Sequence, residues 1–123
     1  MRPLWPIERE VLKITAAEYS AFAEALRRQM DTAQVASFEN SGAGFFSNIA
    51  VSADFHLVTE KGHLNGGYGT VCGMKDGMGF IVFLDEGRIS TIEGYCDGSE
   101  STSDIDFSQV AFELKPWSPT SAT

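Results

Sequence analysis

No apolar run in this chain approaches the roughly 18 consecutive residues that a membrane-crossing helix requires, so no membrane-crossing helix is expected within it. Histidine and cysteine are scarce, at two each. In a reducing compartment Cys72 and Cys96 read as two buried or half-buried thiols. A disulfide between them would need Cβ atoms within about 4.5 Å on neighbouring strands, a question the sequence leaves open. Cations are few as well. Nine Lys and Arg face seventeen Asp and Glu, a formal charge of −8. Such a field repels phosphate, so neither nucleic acid nor an anionic membrane is expected as a partner. Residues 1–10 mix charges of both signs with Pro3 and Pro6. They do not read as a signal peptide, and a cytoplasmic location is the default expectation.

What is present suits one domain over residues 1–123. A chain of this length buries roughly two-thirds of its unfolded surface, and nine Phe supply large core side chains. No metal or disulfide is needed to fold. Pro3 and Pro6 make residues 1–14 an irregular lead-in. Thr15-Ala16-Ala17-Glu18 reads as a capping box that starts a helix. Tyr19, Phe22, Ala23, Leu26 and Met30 then form its apolar stripe, while Glu18, Glu24, Arg27, Arg28 and Gln29 occupy the other faces.

From Gln34 onward short Phe/Val/Ile-rich runs alternate with Gly, Asn and Asp clusters, the pattern of an antiparallel meander. The expected strands are 35–39, 45–51, 68–74, 80–84, 88–95 and 110–114. Asn40–Gly44, Asn65-Gly66-Gly67 and Lys75-Asp76-Gly77 read as breakers, and Asp85-Glu86-Gly87 as a tight hairpin connection. Phe80–Leu84 is apolar throughout, as for a central strand covered on both faces. The predicted fold class is α+β: one N-terminal helix packed on a curved antiparallel sheet of five or six strands. Residues 116–123 read as a frayed polar tail.

Charge is unevenly spread. Residues 85–106 carry Asp85, Glu86, Glu93, Asp97, Glu100, Asp104 and Asp106 against the single cation Arg88, a local −6; the rest holds ten acids and eight bases. A basic protein or a cation would be drawn to this segment, although an acidic loop that merely aids solubility has the same composition. Asp104-Ile105-Asp106 lacks the central Gly and terminal Glu of a calcium loop. His56 and His63, near Asp54 and Glu60, have no compact metal-ligand spacing and read as surface histidines. The glycine clusters around Gly67 and Gly77 precede no helix, so they are turns rather than phosphate cradles, and no cofactor is expected. Glu93 lies inside a strand. It is a surface acid if that face meets solvent, or a buried carboxylate with a raised pKa if it does not.

The run Gly77–Tyr95, with Gly79-Phe80, Phe83, Gly87-Arg88 and Glu93-Gly94-Tyr95, together with Gly44-Phe45-Phe46-Ser47, resembles a segment of uncharacterised small acidic bacterial proteins. These share a GF-apolar-F, GR-apolar, EGY hairpin. Some of them look like immunity partners of secreted toxins, which implies action by binding rather than chemistry. The resemblance assigns no functional residue.

The leading expectation is a non-enzymatic protein-binding module, immunity-like, directed at a basic partner through the seven acids. The alternatives are two. One is a small-ligand carrier whose pocket, between helix and sheet, is lined by Phe45, Phe80, Phe83 and Tyr95; the other is a small enzyme using Glu93 with a histidine. A homodimer paired through edge strands is compatible with an open sheet.

Overall fold

Pro6 begins a helix rather than preventing one. In the computed structural model, which describes residues 1–52, 59 and 61–117, α1 spans Pro6–Glu18 and occupies much of the expected irregular lead-in. Proline at the first helical position loses an N–H that would have had no partner there, and its fixed φ is already helical. Trp5 caps in an extended conformation, and the Glu8 carboxylate reaches back to accept from the Trp5 N–H at 2.7 Å. This is the return half of a capping box. Ile7, Val11, Leu12 and Ile14 recur at helical spacing and are buried.

Thr15 is therefore interior to α1, not its cap. It is fully buried, and its hydroxyl donates to the Val11 carbonyl at 2.8 Å. The chain breaks at Tyr19, makes a 3₁₀ turn over Ser20–Phe22, and resumes as α2, Ala23–Thr32. The apolar stripe supports this second helix, with Leu26 buried, and Arg28 pairs with Glu24 at 3.2 Å.

Six antiparallel strands follow: β1 Gln34–Asn40, β2 Gly44–Ala50, β3 His63–Val71, β4 Met78–Asp85, β5 Arg88–Tyr95 and β6 Phe112–Lys115. Their order across the sheet is β1-β2-β5-β4-β3-β6. Only β3-β4-β5 is a meander. The β1–β2 hairpin adds beside β5, and β6 returns to the outer edge of β3. At the other edge Arg2 makes an isolated bridge to Val35 of β1.

Asn65-Gly66-Gly67 does not separate strands; it is a bulge within β3. The physical reason is helix docking. A Cβ on Gly66 would lie 2.9 Å from a Val11 methyl, and one on Gly67, at φ +90°, would lie 2.9 Å from Ile14. The bare backbone lets α1 press directly onto β3. The predicted β4–β5 hairpin is observed, with Asp85 paired to Arg88. Glu86 (φ 52°) and Gly87 (φ 77°) form its two-residue turn, and positive φ at both positions gives the twist that suits a hairpin.

Both helices lie on one face of the sheet, over Phe45, Leu64, Phe80, Val82 and Ile92, all fully buried. The architecture is α+β, as expected. Phe80–Leu84 is central, but only its Phe80/Val82 side is fully covered; Ile81 and Phe83, on the other side, are half-buried. No helix of the described residues is long and apolar enough to cross a membrane. Residues 118–123 of the predicted tail lie outside the described residues.

Candidate functional site

The sheet face turned away from the helices is where side chains remain available. Register places its residues in rows. One row runs Glu39, Phe46, Glu93, Ile81, Asn65 from β1 to β3. Beside it Tyr95, Gly79, Tyr68 and Lys115 form a second, and Asn48, Thr91, Phe83 and His63 a third. Ile92 and Gly94 are buried on the helix side, which puts Glu93 on the open face. There it is half-buried, flanked in register by Phe46 and Ile81, and has no hydrogen bond or ion pair among the described residues. Glu39 stands on the other side of Phe46, about 10 Å from Glu93 by strand spacing.

Glycines of the hairpin motif shape this face and the core behind it. Phe45 lies over Gly94, where a Cβ would fall 2.5 Å from its ring. Tyr95 lies over Gly79 on the opposite face, again with 2.5 Å to a hypothetical Cβ. A cross-strand aromatic covering a glycine fills the gap its missing side chain leaves. Tyr68 stacks on Trp117, ring centroids 4.3 Å apart, with the Lys115 ammonium 5.4 Å from the Tyr68 ring. Between these aromatics opens a cleft of about 600 Å³.

No family model, curated protein or solved structure matches this chain.

The seven acids do not form one patch. Asp85 and Glu86 sit at the β4–β5 turn, and β5, about 26 Å long at roughly 3.3 Å per residue, separates them from the loop after Tyr95. Glu93 lies mid-strand. Several loop acids hold the loop together. Glu100 accepts from the amides of Lys75 at 2.7 Å and Asp76 at 3.0 Å. Asp97 accepts from the Ser99 amide and hydroxyl, which hold its carboxyl below the ordinary value of 3.8. Asp106 is lowered likewise by the Ser108 hydroxyl, Gln109 and the Ser108 amide. Asp104 is exposed.

This loop is also no loose solvated strand of acids. Thr102, fully buried, accepts from the Gly44 amide at 3.0 Å and donates to Asn40 Oδ1 at 2.8 Å. Phe107 packs on Phe45 at 4.7 Å.

The carrier pocket expected between helix and sheet is not what these aromatics build. Phe45 and Phe80 are fully buried in the core, 6.1 Å apart, whereas Phe83 and Tyr95 belong to the opposite face. The reason is strand alternation: residues of unlike parity on one regular strand point to opposite sides. His63 is exposed and packs on Phe83 at 6.2 Å, without contact to Glu93. His56, Asp54 and Glu60 lie outside the described residues. Among the described residues no three His, Cys, Asp or Glu side chains converge for a metal. Both cysteines are free; Cys72 is exposed rather than buried, and Cys96 is half-buried. Burial, then the charges of Glu100 and Asp97, push the Cys96 thiol up from its ordinary value.

Two residues escaped sequence reasoning. Gln29, assigned to a solvent face of the helix, is fully buried and bonds both sides of the β4–β5 turn: its amide donates to the Gly87 carbonyl at 3.0 Å and accepts from the Ile89 N–H at 2.8 Å. Glu8 is likewise fully buried. The pattern Pro6-x-Glu8 after an extended Trp5 was the available signal for it, and the Thr15 box obscured that signal.

Proposed function

We propose that this chain is a non-enzymatic protein-binding module, immunity-like in action, that docks a basic bacterial protein on its open sheet face. The observation carrying this reading is Glu93. A half-buried carboxylate with no partner among the described residues, set between Phe46 and Ile81, is arranged to receive an arginine or lysine whose stem covers the apolar neighbours. Glu39 across Phe46 supplies a second acceptor. The acids at either end of β5 then act at longer range, accelerating encounter with a cationic surface rather than contacting it. The resemblance of Gly77–Tyr95 to a segment of uncharacterised small acidic bacterial proteins, some of which look like toxin-immunity partners, supports the same reading.

Capture from a bacterial lysate on the immobilised chain, at low and high salt, tests this. Wild-type protein should retain a basic partner at low salt and release it as salt screens the pair. Glu93→Lys, checked for native circular dichroism, should abolish retention, while Asp104→Asn should leave it nearly intact. Equal capture by wild type and Glu93→Lys would remove Glu93 from the interface and the reading with it.

The cleft beside Tyr68 and Tyr95 favours a second reading, the small-ligand carrier, with its pocket on the open face.

A further inference from the structure

The cleft carries chemistry that the acidic surface does not explain. One wall is the Tyr68–Trp117 stack, inclined by 28°. The other is Tyr95, whose ring covers Gly79, and the backbone of Gly69 and Gly77 also lines the cleft. A Cβ on Gly69 would sit 2.0 Å from the Glu113 carbonyl, and one on Gly77 2.3 Å from the Gly69 carbonyl. Glycine is thus fixed at both positions by packing. Trp117 is 43% exposed and Tyr95 36%, so the rings are offered to solvent rather than consumed in the core. The rim mixes both signs: Lys75 and Lys115 against Asp76, Asp97 and Glu113. The side chains of Lys75, Asp76 and Glu113 make no hydrogen bond or ion pair among the described residues.

We propose that this cleft binds an uncharged sugar ring, laid flat on an aromatic wall with its hydroxyls at the rim. The proposal rests on the small-ligand reading and does not require a protein partner. Each hydroxyl both donates and accepts, and a rim with carboxylates and ammonium groups side by side satisfies both roles. Two cations against three anions leave no strong net field. A phosphate would meet the carboxylates, and an organic cation would meet the two lysines. The apolar face of a pyranose ring matches an exposed aromatic surface that has a polar rim. The volume, about 600 Å³, lies within the range of small-molecule sites and admits a ring with room for a second. A free disaccharide and the terminal residue of a glycan present the same chemistry.

The test is amide and indole chemical-shift mapping on the full chain, titrated separately with maltose, cellobiose, N,N′-diacetylchitobiose and, as a flat aromatic probe, adenosine. At least one sugar should shift the Trp117 indole N–H and the Gly69, Gly79 and Asp97 amides in a saturable manner. Trp117→Ala should weaken that binding by about tenfold, as removal of one stacked ring implies. Asp104→Asn, exposed and outside the cleft, should leave it unchanged. Retention of the chain on insoluble cellulose or chitin, with no response to the free disaccharide, would place the ligand on a glycan rather than free in solution and would still support the sugar site. Saturable shifts with adenosine alone would overturn the sugar assignment while keeping a carrier. No saturable shift with any probe or polymer would overturn both.

Discussion

Arg2 grips Glu8 with both arms of its guanidinium, Nη1 to Oε1 at 2.8 Å and Nη2 to Oε2 at 2.9 Å. The carboxylate is fully buried and also accepts from the Trp5 N–H and the Ser47 hydroxyl, so all its acceptor directions are used. Arg2 in turn lies 3.3 Å from the centre of the Trp5 ring, a contact only its flat guanidinium can make. A buried charge is tolerable when every lone pair is met in this way.

Removing Glu8 therefore breaks three elements apart at once. Glu8→Ala should destabilise the protein by about 3–5 kcal/mol, the usual cost of breaking a buried pair and stranding its partners. Urea denaturation checks this, and a loss below about 1 kcal/mol would contradict the network. Arg2→Ala should cost no less, because it strands the fully buried Glu8 carboxylate without its counter-charge.

Gln29 offers a finer dissection. Gln29→Glu keeps the acceptor for the Ile89 N–H but cannot donate to the Gly87 carbonyl. It also buries a charge. Both Gln29→Ala and Gln29→Glu should lose about 2–3 kcal/mol. Hydrogen exchange should show the Ile89 amide deprotected first in the alanine variant; unchanged protection there would refute the clamp.

Glu86 is the one non-glycine residue at positive φ among those described, at 52°. Glu86→Gly or Glu86→Asn relieves that conformation and should raise stability by about 0.5–1 kcal/mol. The ion pair lost with Arg88 is long, at 4.0 Å, and exposed on the Glu86 side, so it contributes little. A lower unfolding midpoint for both variants would show that the turn is not strained.

Asp97 and Asp106 titrate below 3.8 in the folded chain because neighbouring hydroxyls and amides bond their charged forms. A depressed folded-state pKa stabilises above the unfolded value and ceases to do so as pH falls through the folded one. The turns at Ser99 and Ser108 should accordingly hold at neutral pH and loosen only in acid below 3.8. Carboxyl titration by NMR, read beside the Ser99 and Ser108 amides, decides the matter; midpoints at or above 3.8 would contradict these bonds.

The sheet was largely legible because its signals are local. Alternation, glycine punctuation and the Glu86-Gly87 turn marked β1, β2, β4 and β5 within a residue or two. What failed was whatever depends on contacts distant in sequence. Nothing near Glu8 marks its burial, because the hydroxyl that meets it belongs to Ser47, 39 positions later. Gly66-Gly67 looked like a turn because nothing nearby announces that α1 will lie against it. Gln29 looked solvent-facing because its partners are 58 and 60 residues away. The candidate site divides in the same manner. Glu93 could be singled out on its strand, but the Tyr68–Trp117 stack needs β3 and the segment after β6 side by side.

Strand order also bears on assembly during synthesis. The first hairpin, β1–β2, meets the rest of the sheet only through β5. A nascent chain that ends before Arg88 leaves the inner edge of β2 unpaired, and the ladder becomes continuous only once Tyr95 has emerged. Such non-local closure is slow. Released chains truncated at residue 87 should be protease-sensitive in β2, whereas the full chain should resist.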